Sequence, residues 1–125
     1  MIHILYIGIG GFCGAVSRYL VSKYLSNLIA SFPLGTLAVN VSGSFVLGFI
    51  MYSIGSGRTM PTNLRDMITI GFIGAFTTMS TFSYETFRLT ELNEFFFAFL
   101  NLFLNLLLCF GAIYFAKELA ILINK

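Results

Sequence analysis

Apolar positions follow one another with little interruption along this chain, and the polar positions gather in short segments between them. Three stretches contain no charged residue: Tyr24–Gly57, Met67–Tyr84 and Phe95–Ala116. A helix that crosses the hydrocarbon core of a bilayer needs about 20 mostly apolar residues. The pattern therefore predicts an all-α integral membrane protein that is embedded in a lipid bilayer.

We predict one domain, residues 1–125, with four transmembrane helices and polar connections at Tyr24–Pro33, Gly55–Asn63 and Thr90–Glu94. The helices run approximately over Ile2–Lys23, Leu34–Ile54, Leu64–Leu89 and Phe95–Leu122. An even number of spans places both termini on one side of the membrane.

Composition excludes several classes of function. Hydrophobic residues make up 58% of the chain and charged residues 10%, with a mean hydropathy of +0.91, whereas a soluble domain carries about 25% charged residues. A net charge of +2 is too small to indicate a nucleic-acid partner. His3 is the only histidine, and the sequence has no Cys/His cluster, nucleophile elbow or phosphate-binding loop. We therefore predict that the chain is not an enzyme.

Basic residues are almost evenly divided between the two predicted sides. One side carries Arg58, Arg65, Lys117 and Lys125, and the other carries Arg18, Lys23 and Arg88. Such a balance gives nearly no positive-inside bias. Two alternatives follow: a fixed orientation set by other factors, or insertion in both orientations, with two copies paired about an axis in the membrane plane. Four short helices enclose few side chains, so a homo-oligomer is the economical way to surround a polar path.

Small residues recur at a spacing that allows helices to approach closely. Gly10 and Gly14 form a GxxxG pair, and Ser44 and Gly48 are spaced in the same way. Lipid supplies no hydrophobic force to bring helices together, so such pairs favour close backbone packing. They predict packing and carry no information about function.

Polar residues inside the predicted spans are the best candidates for function, because they are costly there. The three sets are Asn40 with Ser44 on the second helix, Thr77, Thr78, Ser80, Thr81, Ser83 and Glu85 on the third, and Asn101, Asn105 and Cys109 on the fourth. The sets could line a hydrated track. The alternative is that they only bond helices to one another, at about 0.6–2 kcal/mol each.

The serine and threonine cluster also predicts a break in the third helix. Hydroxyl groups bond back to carbonyls one turn earlier and bend a helix, and Gly74 weakens it further. A break near the bilayer midplane frees backbone carbonyls that need new partners. The partner is either a cation such as Na⁺, which prefers oxygen ligands, or water and the hydroxyls themselves.

Three motifs resemble the CrcB/Fluc family of fluoride channels in order and in spacing. They are residues 10–19 (GGFCGAVSRY), 32–45 (FPLGTLAVNVSGSF) and 71–85 (GFIGAFTTMSTFSYE). The resemblance covers nearly the whole chain. It implies a dual-topology antiparallel homodimer with two separate fluoride pores, which exports fluoride passively across the cell membrane. It also implies a structural Na⁺ at the dimer centre, held by the backbone carbonyls of Gly74 and Thr77.

The resemblance also assigns pore residues. The pore asparagine of the family falls on Asn40, and its two pore phenylalanines fall on Met79 and Phe82, so the first is replaced. Polar positions of the same motif fall on Ser80, Thr81 and Glu85. Where the family commonly has a tyrosine and then a serine on the fourth helix, this chain has Asn105 and Cys109.

General physical chemistry is consistent with such a pore. Fluoride is small and strongly hydrated, so a selective path must replace its water with hydrogen-bond donors. The amide of Asn40 and the hydroxyls of Ser80 and Thr81 can donate, and the ring of Phe82 presents a positive edge. On this hypothesis Met79 mainly lines the pore and fills space.

Two rival functions belong to different classes. A small multidrug transporter is also short and four-spanning, but it needs a proton-exchanging acid in its first span, and no acidic residue precedes Asp66. An assembly subunit would use the polar residues only to join helices. A fluoride-efflux assay in liposomes separates the three hypotheses.

Overall fold

The computed structural model describes residues 1–26, 28 and 31–124, and within them the chain forms helices and no strand. The helices are α1 (Ile2–Ser26), α2 (Leu34–Gly55), α3 (residues 62–76), α4 (Met79–Glu91) and α5 (Phe95–Ile123). Within α3, a π-helical stretch, Met67–Ile73, lies between short α-helical ends. Part of the predicted connection Tyr24–Pro33 (positions 27, 29 and 30), together with Lys125, lies outside the described residues.

Among the described residues, three helices are long and apolar enough to cross a membrane: α1, α2 and α5. Large apolar side chains are exposed along them, including Phe12, Phe99 and Phe110, each more than 60% exposed. A soluble monomer does not present apolar surface so extensively, whereas lipid solvates it. The predicted all-α membrane class is therefore confirmed.

The predicted third span is present as two shorter helices, α3 and α4, with an interruption at Thr77 and Thr78. The predicted break is therefore observed. The boundaries differ from the predictions by one to three residues, since α1 continues to Ser26 and α3 begins at Thr62.

Two pairs of helices make the most extensive contacts: α2 packs along α5, and α1 packs along α3. Glycines allow both approaches. A Cβ atom on Gly48 would lie 3.3 Å from the Cβ of Ala116 on α5. A Cβ atom on Gly10 or Gly14 would collide with the backbone of α3, at Met67 and Phe72 respectively. The small-residue spacing predicted from the sequence therefore corresponds to helix contacts.

Helices α2 and α4 end in the same way. After α2, Gly57 adopts a φ of +100°, and its N–H and that of Arg58 bond back to Ile54 and Ser53 at 3.0 and 3.2 Å. After α4, Asn93 takes a φ of 60°, and its N–H and that of Glu94 bond back to the carbonyls of Thr90 and Leu89 at 3.1 and 2.9 Å. This is the Schellman arrangement, in which a left-handed residue turns the chain back on the helix.

Polar contacts tie the two ends of the chain to one end of the bundle. The imidazole of His3 lies 2.9 Å from Asn63 Oδ1 through Nδ1 and 3.1 Å from Asp66 Oδ2 through Nε2. Arg58, which follows α2, contacts Asn124 at the end of α5. The beginnings of α1 and α3 and the ends of α2 and α5 therefore share one end of the bundle, as an up-and-down arrangement requires.

We expect the α1–α3 contact to be intolerant of a single methyl group. In Gly14→Ala the new Cβ meets the backbone of Phe72, which cannot rotate away, so the free energy of unfolding should fall by about 1–3 kcal/mol. The matched control is Gly11→Ala, whose Cβ would lie 3.9 Å from Gly71 O, an ordinary contact. Thermal unfolding of both variants in detergent measures the difference, and equal stability would contradict the packing described for α1.

Candidate functional site

The break between α3 and α4 is the centre of the site. Thr77 and Thr78 adopt extended backbone, with ψ angles of 157° and 119°. The hydroxyl of Thr77 bonds back to Ile73 O at 2.9 Å, which is the bond predicted from the sequence. The hydroxyl of Thr78 accepts the N–H of Thr81 at 3.1 Å and so caps the start of α4. One threonine thus ends the first helix, and the next begins the second.

Asn40, on α2, supplies hydrogen-bond partners for the N–H and the carbonyl of Thr78 in the break. Its Oδ1 accepts the N–H of Thr78 at 2.8 Å, and its Nδ2 donates to the carbonyl of Thr78 at 3.2 Å. The remaining Nδ2 proton is donated to Asn105 Oδ1 at 3.0 Å. Both N–H groups of the amide are therefore bound within the protein, which differs from the expectation that Asn40 offers a free donor.

The same contacts leave two backbone carbonyl oxygens without their α-helical hydrogen-bond partners. The N–H of Thr78 is bound to Asn40, so Gly74 O loses its α-helical partner. The N–H of Thr81 is bound to the Thr78 hydroxyl, so Thr77 O loses its partner as well. These are the two carbonyls that the resemblance assigns to sodium.

Carbonyl oxygens are ligands that hard cations take, so this donor set fits Na⁺ in kind. Two oxygens from one chain do not surround an ion, and the remaining ligands would come from elsewhere. Among the described residues no group of three His, Cys, Asp or Glu side chains is placed to hold a metal. The backbone oxygens of Gly74 and Thr77 remain candidate ligands on the grounds of their chemistry.

Polar side chains of α5 continue from Asn40. Asn105 is 5% exposed and donates to Asn101, both to its backbone oxygen at 3.0 Å and to its Oδ1 at 2.9 Å. Asn101 is fully buried and donates to Thr86 Oγ1 on α4 at 2.9 Å. The stripe predicted on the fourth span therefore faces α2 and α4 rather than lipid.

A cavity of about 320 Å³ opens beside the break, between α2, α4 and α5. It brings together six of the residues predicted for the pore and the ion site: Asn40, Thr77, Met79, Phe82, Asn105 and Cys109. Phe82 is 4% exposed, whereas Met79 is 70% exposed in the single chain. The two positions that the resemblance assigns to phenylalanine therefore lie in different environments.

Ser80 and Thr81 lie outside this cavity, on the exposed surface of the first turn of α4. The Ser80 hydroxyl lies 3.2 Å from Thr78 Oγ1, and Thr81 Oγ1 accepts a bond from Thr78 at 3.1 Å. The proton of the Thr81 hydroxyl has no acceptor among the described residues. It can therefore be donated outward from the helix.

Glu85 belongs to a second cavity, of about 220 Å³, near the far end of α4. Thr36 donates to its Oε1 at 2.9 Å, while its Oε2 is buried with no partner in the described part of the chain. Arg88 and Tyr84 also line this cavity. Glu85 is thus separated from the predicted residues at the break, and Gly74, Ser80 and Thr81 line neither cavity.

Sequence reasoning missed Thr86 and gave Thr78 no particular role within its cluster. Thr78 was one of five hydroxyl residues in the cluster, and only its N-cap geometry and its pairing with Asn40 distinguish it. A threonine three residues before the N–H that it caps is the usual signal for a helix start. Thr86 lies one turn beyond the motif, and nothing in the sequence connects it to Asn101.

Comparisons with known proteins identify the family. Residues 5–117 match the model of the family described as CrcB-like protein, Camphor Resistance (CrcB). The fluoride-specific ion channel FluC 1 of Methanosarcina acetivorans is 47% identical over 117 residues, which cover 94% of this chain and 89% of the relative. FluC of Methanocaldococcus jannaschii is 46% identical over 123 residues, covering 98% of both chains.

A third relative, the fluoride-specific ion channel FluC of Shewanella woodyi, is 42% identical over 120 residues, covering 95% of this chain and 96% of the relative. These relatives are named as channels, which confirms the prediction that the chain is not an enzyme. The matches extend over both sides of the helix break and over all five helices. This chain therefore belongs to the CrcB-like family.

Proposed function

We propose that this protein is a fluoride-selective channel that exports fluoride passively across the cell membrane of a prokaryote. The observation that carries the proposal is the break at Thr77 and Thr78, which places polar backbone and hydroxyl groups beside a cavity inside an apolar bundle. Relatives of similar length are named fluoride-specific channels, which supports fluoride as the ion.

The break determines which donors an anion can reach. Both N–H groups of Asn40 are occupied, so this residue acts on the path by holding the break open. On the first turn of α4, the hydroxyl proton of Thr81 has no acceptor among the described residues and is the conventional donor, whereas that of Ser80 is donated to Thr78 Oγ1 and becomes available when Ser80 rotates away from it. They lie at the N-terminus of a helix, where the dipole favours an anion.

Phe82 and Met79 both line the proposed path, and each has a different role there. A buried aromatic ring presents a positive edge and keeps a path narrow and dry, and Phe82 is the buried member of the pair. Met79 has a flexible thioether that donates nothing to an anion, so it fills space at the exposed edge of the cavity. Asn105 and Cys109 complete the side formed by α5.

We further propose that the functional unit is an antiparallel homodimer with two pores and a central structural Na⁺. A nearly even distribution of basic residues supports insertion in both orientations. A second copy related by a two-fold axis supplies a second pair of Gly74 and Thr77 carbonyls, which brings the ion more ligands. It also covers the surface on which Met79 is exposed.

Passive export needs no energy-coupling group. Fluoride enters acidic surroundings as its neutral weak acid and is trapped inside the cell as the anion. The inside-negative potential then drives the anion outward through a selective channel. This account agrees with a sequence that carries no nucleotide-binding motif.

Fluoride efflux from liposomes tests the function, with Asn40→Asp as the critical variant. A carboxylate at this position turns oxygens toward Thr78 O and Asn105 Oδ1, where Nδ2 now donates. The two lost bonds and the added negative charge should lower efflux at least about tenfold.

The control is Asn93→Asp, which makes the same chemical change in the exposed turn after α4. We expect it to conduct like the wild type. An inactive wild-type channel would refute the proposed function, and a wild-type rate in an assembled Asn40→Asp channel would refute the role given to Asn40.

Removing sodium should impair the channel, because the ion takes the oxygens that the break leaves without helical partners. Exchange of Na⁺ for N-methylglucamine should lower the melting temperature and the efflux rate, and returning Na⁺ should restore both. Thr77→Ser should conduct close to the wild-type rate, since only the backbone oxygen is used and serine keeps the bond to Ile73 O. Undiminished efflux after exhaustive removal of Na⁺ would argue against this site.

A further inference from the structure

A continuous series of side-chain hydrogen bonds leads from α4 through α5 to the helix break. Thr86 Oγ1 accepts from Asn101 at 2.9 Å, Asn101 Oδ1 accepts from Asn105 at 2.9 Å, and Asn105 Oδ1 accepts from Asn40 at 3.0 Å. The series ends where Asn40 Oδ1 accepts the N–H of Thr78 at 2.8 Å. In each of these four bonds the donor is the residue nearer to the break and the acceptor is the residue nearer to Thr86. One further bond runs the other way, from Asn40 Nδ2 to the carbonyl of Thr78.

The direction of this series has an identifiable origin. An asparagine amide has nearly the same shape in its two flipped orientations, so its neighbours decide which end faces which way. The hydroxyl proton of Thr86 is donated to Phe82 O at 2.8 Å, so Thr86 offers Asn101 only a lone pair. Asn101 must therefore turn its N–H toward Thr86 and its oxygen toward Asn105.

The orientation of the Asn101 amide determines the orientations of the Asn105 and Asn40 amides. Asn105 turns its N–H groups toward Asn101, helped by a second bond to the backbone oxygen of Asn101 at 3.0 Å, and its oxygen toward Asn40. A flip of Asn101 would set its N–H against the N–H of Asn105. Asn101 is 0% exposed and Asn105 5% exposed, so neither water nor lipid replaces a lost partner.

We propose that Thr86 and Asn101 are positioning residues that orient the Asn40 amide against the break through Asn105. The proposal rests on the proposed fluoride conduction and adds two residues that lie outside the cavity at the break. It differs from simple helix bonding because it requires the direction of the bonds, and not only the contact between α4 and α5, for the pore to be formed.

The experiment compares fluoride efflux in liposomes for the wild type and three variants. The double variant Thr86→Val/Asn101→Leu removes the donor Asn101 and its acceptor Thr86 together, with side chains of similar size, so that one N–H of Asn105 is the single polar group that loses its partner. The variant should therefore preserve assembly. Asn105 keeps its bond to the backbone oxygen at position 101. Thr86→Ser keeps the hydroxyl that sets the direction.

The matched control is Thr90→Val, one turn further along α4. Thr90 also donates its hydroxyl proton to its own helix, at 2.6 Å to Phe87 O, but it accepts no bond from another helix among the described residues. We expect efflux to fall at least about tenfold in the double variant and to stay within about twofold of the wild type in Thr86→Ser and Thr90→Val.

Hydrogen exchange of the Thr78 amide in the same variants separates the alternatives. Positioning predicts faster exchange in the double variant alone, since that amide is held by Asn40. Wild-type efflux in the double variant would overturn the proposal, and so would its failure to assemble, because the residues would then only join helices. If the wild type itself carries no fluoride, the proposed function fails, and Thr78 exchange still decides whether Thr86 and Asn101 position Asn40.

Discussion

The pairing of the Asn40 side chain with the backbone of Thr78 is the constraint on which the rest of this structure depends. A helix that crosses a bilayer cannot lose backbone hydrogen bonds unless another group replaces them. Asn40 replaces one donor and one acceptor at once, at 2.8 and 3.2 Å. Because these groups are satisfied, the helix of the third span can stop at Phe76 and start again at Met79 without exposing the backbone of Thr78 to lipid.

Consequences of that pairing extend in both directions from the break. On one side, Gly74 and Thr77 are left with carbonyl oxygens that no longer belong to a helix. On the other, α4 begins with Met79 and Phe82 facing a cavity of about 320 Å³ and with the hydroxyls of Ser80 and Thr81 on the exposed side of its first turn. A single interruption thus places unpaired carbonyl oxygens and hydroxyl groups together in a bundle whose surface is otherwise apolar, and the proposed cation and anion sites both rest on it.

Much of this architecture follows from the sequence. The rest depends on how each helix is rotated about its axis against its neighbours, which the pattern of apolar and polar residues does not show. The helix boundaries predicted from the sequence lie within three residues of the observed ones, and the hydroxyl cluster predicted the break. The sequence did not indicate that both N–H groups of Asn40 are bound within the protein, because Asn105 and Thr78 meet that amide only after α2 and α5 pack together. The contacts of His3 with Asn63 and Asp66 likewise join segments that are far apart in the chain.

The most direct test of this account is the backbone conformation at the break in a variant without the pairing. Carbon chemical shifts of Thr77 and Thr78, measured by solid-state NMR in lipid, report whether these residues are extended or helical. We predict extended shifts for the wild type and a change toward helical values in Asn40→Leu, because the N–H of Thr78 would return to Gly74 O. Extended shifts that persist unchanged in an assembled Asn40→Leu channel would contradict the account.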